Sequence, residues 1–129
     1  MTTTKTLLIA VTDIFFYTRI RDAFRPQGYT LTRIRNVEDW LTNVDNQSPQ
    51  AIIANMNDDR LDVPNLLKTI KAQPKIQDVP ILAFANHEEV GTWKLAKELG
   101  INKIVSRNEF SARTLPLLEE MLASTPPTP

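Results

Sequence analysis

Side chains able to do chemistry gather at four places in this sequence: Thr12-Asp13, Asn55 with Asn57-Asp58-Asp59, Asn86-His87, and Ser106-Arg107. Each group follows a short apolar run, the position from which a strand presents polar residues to a ligand. A carboxylate at such a place can act as a nucleophile or hold a hard cation. The amide of Asn55 is a very poor nucleophile, and Thr12-Asp13 supplies only one carboxylate. The chain has one histidine and no cysteine, which excludes a histidine cluster, a thiolate metal site, a disulfide and a cysteine nucleophile. No Gly-x-Ser-x-Gly elbow is present, so hydrolytic catalysis has no support and no enzymatic activity is expected. The segment Thr12-Asp-Ile-Phe-Phe-Tyr17 lacks the glycines and hydroxyl run with which a backbone wraps the phosphate of a flavin.

The elements that must position these groups follow from periodicity. Leu7 to Val11, Ala51 to Asn57 and Val79 to Ala85 are largely apolar stretches of strand length, suited to strands covered on both faces. Tyr29 to Arg35, rich in Thr and Arg, suits an edge strand, and Ile101 to Val105 is a fifth strand. Between them lie helical stripes. Phe16, Ile20, Ala23 and Phe24 end at Pro26-Gln-Gly28. Val37, Trp40, Leu41 and Val44 follow a capping Asn36, with Trp40 as core. A third helix starts at Pro64, a fourth spans 88–99 before Gly100, and a last one, capped by Ser111 or Thr114, buries Leu115, Leu118 and Leu122. Residues 1–123 are expected to form one domain, and 124–129, Pro- and Thr-rich, a flexible tail or the start of a linker.

Five strands alternating with five helices predict a doubly wound α/β domain, a flavodoxin-like parallel sheet of order 2-1-3-4-5. Ligands bind such sheets beyond the carboxyl ends of the strands, near the switch point between the first and third. Thr12, Asp13 and Asn55 are placed there, with Ala85-Asn86 and Ser106-Arg107 on the rim.

From Thr6 to Ala123 the order of elements resembles the bacterial response-regulator receiver domain. Receivers close the first strand with an acidic pair, where this chain has Thr12-Asp13. They end the third strand in a phosphoacceptor Asp, where Pro49-Gln-Ala-Ile-Ile-Ala-Asn55 carries Asn. The Met-Pro-Gly turn that follows is replaced by Asn57-Asp-Asp-Arg60. The hydroxyl residue of the fourth strand corresponds to Ala85, the aromatic switch of the fifth to Ile104, and the Lys-Pro after it to Arg107-Asn108. So many changes together resemble the pseudo-receiver branch. With two carboxylates replaced, no cofactor is expected, and magnesium binding is expected to be weak or absent.

The resemblance implies a phosphorylation-independent signalling module that binds a protein partner, or itself, through the fourth helix, fifth strand and last helix. Trp93, Lys97, Lys103, Arg113 and Glu120 are the contacts expected on that face. Two alternatives stay open: an atypical phosphoacceptor at Asp58 or Asp59, which should lie past the strand end facing solvent, and a small-ligand-binding regulatory domain. Asn55 itself reads either as a ligand-sensing group or as a side chain satisfying loop amides. Asp13 reads as a helix-start carboxylate that Arg107 could pair with in place of the missing lysine. His87 reads as a surface loop group. Fifteen Lys and Arg balance fifteen Asp and Glu, so no net field favours nucleic acid or an acidic membrane. Leu7 to Val11 is too short for a secretory core of about 7 to 15 residues with its flanks, or for a span of about 20, and a cytoplasmic location is expected.

Overall fold

Parallel strands with apolar side chains on both faces need helices on both sides, and the chain provides them. The computed structural model describes residues 5–36, 49–73, 78–86 and 88–124. Five strands form one sheet: β1 (Thr6–Ala10), β2 (Thr30–Arg33), β3 (Ala51–Asn55), β4 (Ile81–Ala85) and β5 (Lys103–Ser106). All neighbours are parallel, in the expected order β2-β1-β3-β4-β5. Strands β1, β3 and β4 are buried along their whole length, whereas edge strand β2 starts at an exposed Thr30. The described helices are α1 (Ile14–Phe24), α2 (Val63–Lys71), α3 (Val90–Glu98), α4 (Arg107–Ala112) and α5 (Thr114–Ser124), with a single 3-10 turn at Arg25–Gln27.

Because successive strand residues point to opposite faces, the sheet divides the core in two. Leu8, Ala10, Ile52, Ala54, Ile81 and Ala83 pack with Leu66, Leu67 and Ile70 of α2 and Ala96 of α3. Leu7, Ile9, Ile53, Leu82, Phe84 and Val105 pack with Ile20 and Phe24 of α1, Phe110 of α4, and Leu117, Leu118 and Met121 of α5. Gly28 (φ 90°) and Gly100 (φ 73°) end helical segments in the left-handed conformation that glycine adopts without strain. No helix among the described residues is long and apolar enough to cross a membrane.

The carboxyl-terminal third departs from expectation. In place of one helix there are two, and neither Ser111 nor Thr114 is the amino-terminal cap. Ser106 caps α4 by accepting the Glu109 N–H at 3.1 Å, and buried Phe110 anchors that helix. Thr114 is instead the buried first residue of α5, its hydroxyl donating to the Phe110 carbonyl at 2.7 Å. The buried stripe of α5 is accordingly Thr114, Leu117, Leu118 and Met121, leaving Leu115 and Leu122 half-buried. The α2 helix starts one residue before Pro64, with Asp62 as its cap. The helix expected after Asn36 with its core Trp40, the loop residue His87, and the stretch 125–129 of the expected tail lie outside the described residues.

Candidate functional site

The strand order places the ends of β1 and β3 side by side, and the polar residues just beyond them meet there. Asn55, 6% exposed at the last position of β3, turns its side-chain oxygen onto the N–H of Asn57 at 3.0 Å. Its carbonyl accepts from Asp58 at 3.2 Å. Asn55 therefore shapes the turn that leaves the strand, as Asn does in tight loops.

Asp58 is the residue that closes the crevice, and it does not face solvent as expected. Its carboxylate accepts the Thr12 N–H and the Thr12 hydroxyl, each at 2.7 Å, and the Arg60 and Leu61 N–H groups, each at 3.0 Å. One charged group thus ties the loop after β1 to the loop after β3 through two hydrogen bonds from Thr12 and holds its own loop through two more, all of the strong charge-assisted kind. Asp59 is exposed. Asp13 caps α1, one oxygen accepting the Phe15 and Phe16 N–H groups at 2.8 and 3.2 Å. Arg33, from edge strand β2, donates to the Thr12 carbonyl at 2.7 Å and lies 4.7 Å from the Tyr17 ring centre. A cleft of about 390 Å³ opens over this region, lined by Thr12, Asp13, Ile14, Phe15, Arg33, Asp59 and Arg60.

Arg107 does not pair with Asp13. Its guanidinium lies 4.7 Å from the Phe16 ring centre and donates to the Asn86 side-chain oxygen at 3.3 Å. Phe16 stacks on Phe84, and Phe84 on Phe110, so the cation caps a column of three rings. Asn86 is a second junction. Its N–H donates to the Asn57 side chain at 2.7 Å, and its carbonyl accepts the Trp93 indole N–H at 2.9 Å. Asn57 also reaches Thr92 at 3.4 Å. Ala85, at the end of β4, is fully buried and brings no polar atom of its side chain to the crevice, while Ile104 is half-buried against the α2 and α3 side of the core.

A magnesium site needs several oxygens free to turn toward the ion, carboxylates foremost. Here both oxygens of Asp58 and one of Asp13 already accept backbone or hydroxyl protons, and Asn55 and Asn57 each point their oxygen at an N–H. Among the described residues no three His, Cys, Asp or Glu side chains gather where a metal could be held. This donor set does not fit a magnesium ion.

Of the residues expected on the contact face, Lys97 is exposed and Lys103 half-buried. Arg113 forms ion pairs with Glu109 and Glu120. Trp93 is half-buried against the core and committed to Asn86, so it is not a free anchor. The bridging roles of Asp58, Arg33 and Asn57 are not evident from periodicity. The one local signal is Asp58 placed two and three residues before the amides it caps, an Asx-type turn.

No family model matches the chain, and no curated protein matches it by sequence. Solved structures do resemble it. The receiver domain of a signal transduction histidine kinase from Syntrophus aciditrophicus superposes with a TM-score of 0.81 at 15% identity, covering 97% of this chain and 95% of that one. The receiver domain of a sensor histidine kinase from Pseudomonas aeruginosa, which holds a magnesium ion in its active-site cleft, gives 0.79 at 20% identity, covering 95% and 100%. The phosphorylated cyanobacterial phytochrome response regulator RcpA gives 0.79 at 14% identity, covering 98% and 99%. At these identities the likeness is one of architecture: the chain has the flavodoxin-like fold of response-regulator receiver domains.

Proposed function

We propose that this chain is a receiver-like module of two-component signalling of the pseudo-receiver kind, which acts by binding protein and neither accepts a phosphoryl group nor catalyses a reaction. The observation that carries this reading is the use made of Asp58. A carboxylate that attacks a phosphodonor needs a free oxygen aimed at phosphorus and a cation to neutralise the oxygens in flight. Asp58 spends its oxygens on Thr12, Arg60 and Leu61, Asn55 offers an amide, and the neighbouring donors do not suit magnesium.

The partner is assigned to the surface of α3, β5 and α5, where Lys97 and Lys103 have no ion-pair partner among the described residues. The protein is taken to act in the cytoplasm. Incubation with acetyl phosphate and magnesium, followed by intact-mass measurement, tests the central claim: the mass stays unchanged. A gain of one phosphate that vanishes in Asp58→Asn or Asp59→Asn would mean that the displaced carboxylate is a working acceptor.

A further inference from the structure

Three large apolar side chains are exposed on the described surface, and two are neighbours on the first turn of α1: Phe15 at 84% and Ile14 at 55%, with Val90 the third. Folding does not require them there, because Ile20 and Phe24 carry the buried side of α1. From Phe15 the outer stripe of the helix runs through Thr18, Arg19 and Asp22, at offsets of three, four and seven. Beside it lies a groove of about 520 Å³, lined by those four residues with Phe16 and Ser111. An apolar knob thus stands next to a groove that carries one cation and one anion, a turn apart.

We propose that a second copy of this chain occupies the groove, the two α1 helices meeting antiparallel about a two-fold axis. A two-fold contact sets each feature of a patch against its complement on the other copy. This patch holds both members of each pair: Phe15 with a groove to receive it, and Arg19 with an Asp22 to meet it. The contacts given up are weak and exposed, since Arg19 reaches the Ser111 carbonyl at 3.5 Å and Asp22 the Arg21 side chain at 3.4 Å. A formal net charge of zero adds no long-range repulsion between copies. The stripe is about 10 Å long, shorter than a standard interface needs, which places the contact among weak, reversible associations. This surface is separate from the α3, β5 and α5 face assigned above to a partner.

Sedimentation equilibrium of the whole chain over a concentration series tests the proposal, with circular dichroism melts to verify that each variant is folded. The native chain forms a reversible dimer. Phe15→Ser, Arg19→Asp and Asp22→Arg each raise its dissociation constant about tenfold or more. The double reversal Arg19→Asp/Asp22→Arg returns it to within about threefold of native, and Lys97→Glu/Lys103→Glu leaves it unchanged. A monomer at every concentration overturns the proposal, as does a dimer indifferent to Phe15→Ser or one abolished by the lysine changes. Failure of the double reversal to recover binding overturns the two-fold pairing.

Discussion

At Asp58 a single carboxylate accepts protons from two loops distant in sequence, and the loss of that charge should be felt as stability. Asp58→Asn keeps the shape but leaves one oxygen acceptor among four donors. The expected loss is about 1.5–3 kcal/mol, measured by urea denaturation. Thr12→Val removes only the hydroxyl and loses less. A double-mutant cycle between the two positions should give a coupling above about 0.5 kcal/mol; additive losses would show that the bonds from Thr12 contribute nothing specific. The crevice was legible in part. Apolar runs end at Thr12 and Asn55, so their convergence follows from strand order alone. The partner chosen by each side chain does not follow, because a short polar residue at a strand end can turn to a neighbouring amide or across to another loop. Asn55 turned to its own loop, Asp58 crossed to Thr12, and Arg107 passed over Asp13 to settle on a ring and an amide.

The elements show the same division between what periodicity fixes and what a few local contacts decide. The central strands announce themselves as uninterrupted apolar runs, and β2 by its Thr and Arg content, since only an edge tolerates that composition. The helix α4 is short enough that no stripe can be counted in it, and it exists because Ser106 caps it and Phe110 pins it to the core. Ser106→Ala should therefore lower stability by about 1 kcal/mol, with hydrogen exchange rising first at the amides of 107–110. Exchange that rises evenly over the sheet instead would deny α4 this dependence on its cap. The cap expected at Thr114 failed for a related reason. Thr114 bonds back to the Phe110 carbonyl, a choice that lies outside the helical period of α5. Trp93 is half-buried, and its indole N–H donates to the half-buried Asn86 carbonyl, a partner that no spacing rule predicts.

For the molecule as a whole, two core layers share one sheet, and Tyr29 sits at the margin of the layer beneath α1 and α5. Burial raises the Tyr29 hydroxyl pKa above its ordinary value of 10.0, and Glu119 adds to the shift. A group whose folded pKa is raised binds its proton more tightly when folded, so its contribution is fully present below pH 10 and is lost as pH climbs through the folded value. Alkaline melts should show this decline in the native chain and a shallower one in Tyr29→Phe; equal slopes would remove Tyr29 from the account. The layering also has a consequence for the order of assembly during synthesis. β1 pairs β2 on one edge, Thr6 opposite Thr30, and β3 on the other, Leu7 opposite Ala51. A chain leaving the ribosome can close the first edge early, but the second stays bare until residue 51 and its successors emerge. For that interval Leu7, Leu8 and Ile9 form an open edge apolar on both faces, the form to which strands of other nascent chains add. The time taken to deliver the segment between Arg33 and Ala51 thus sets how long that edge stays open.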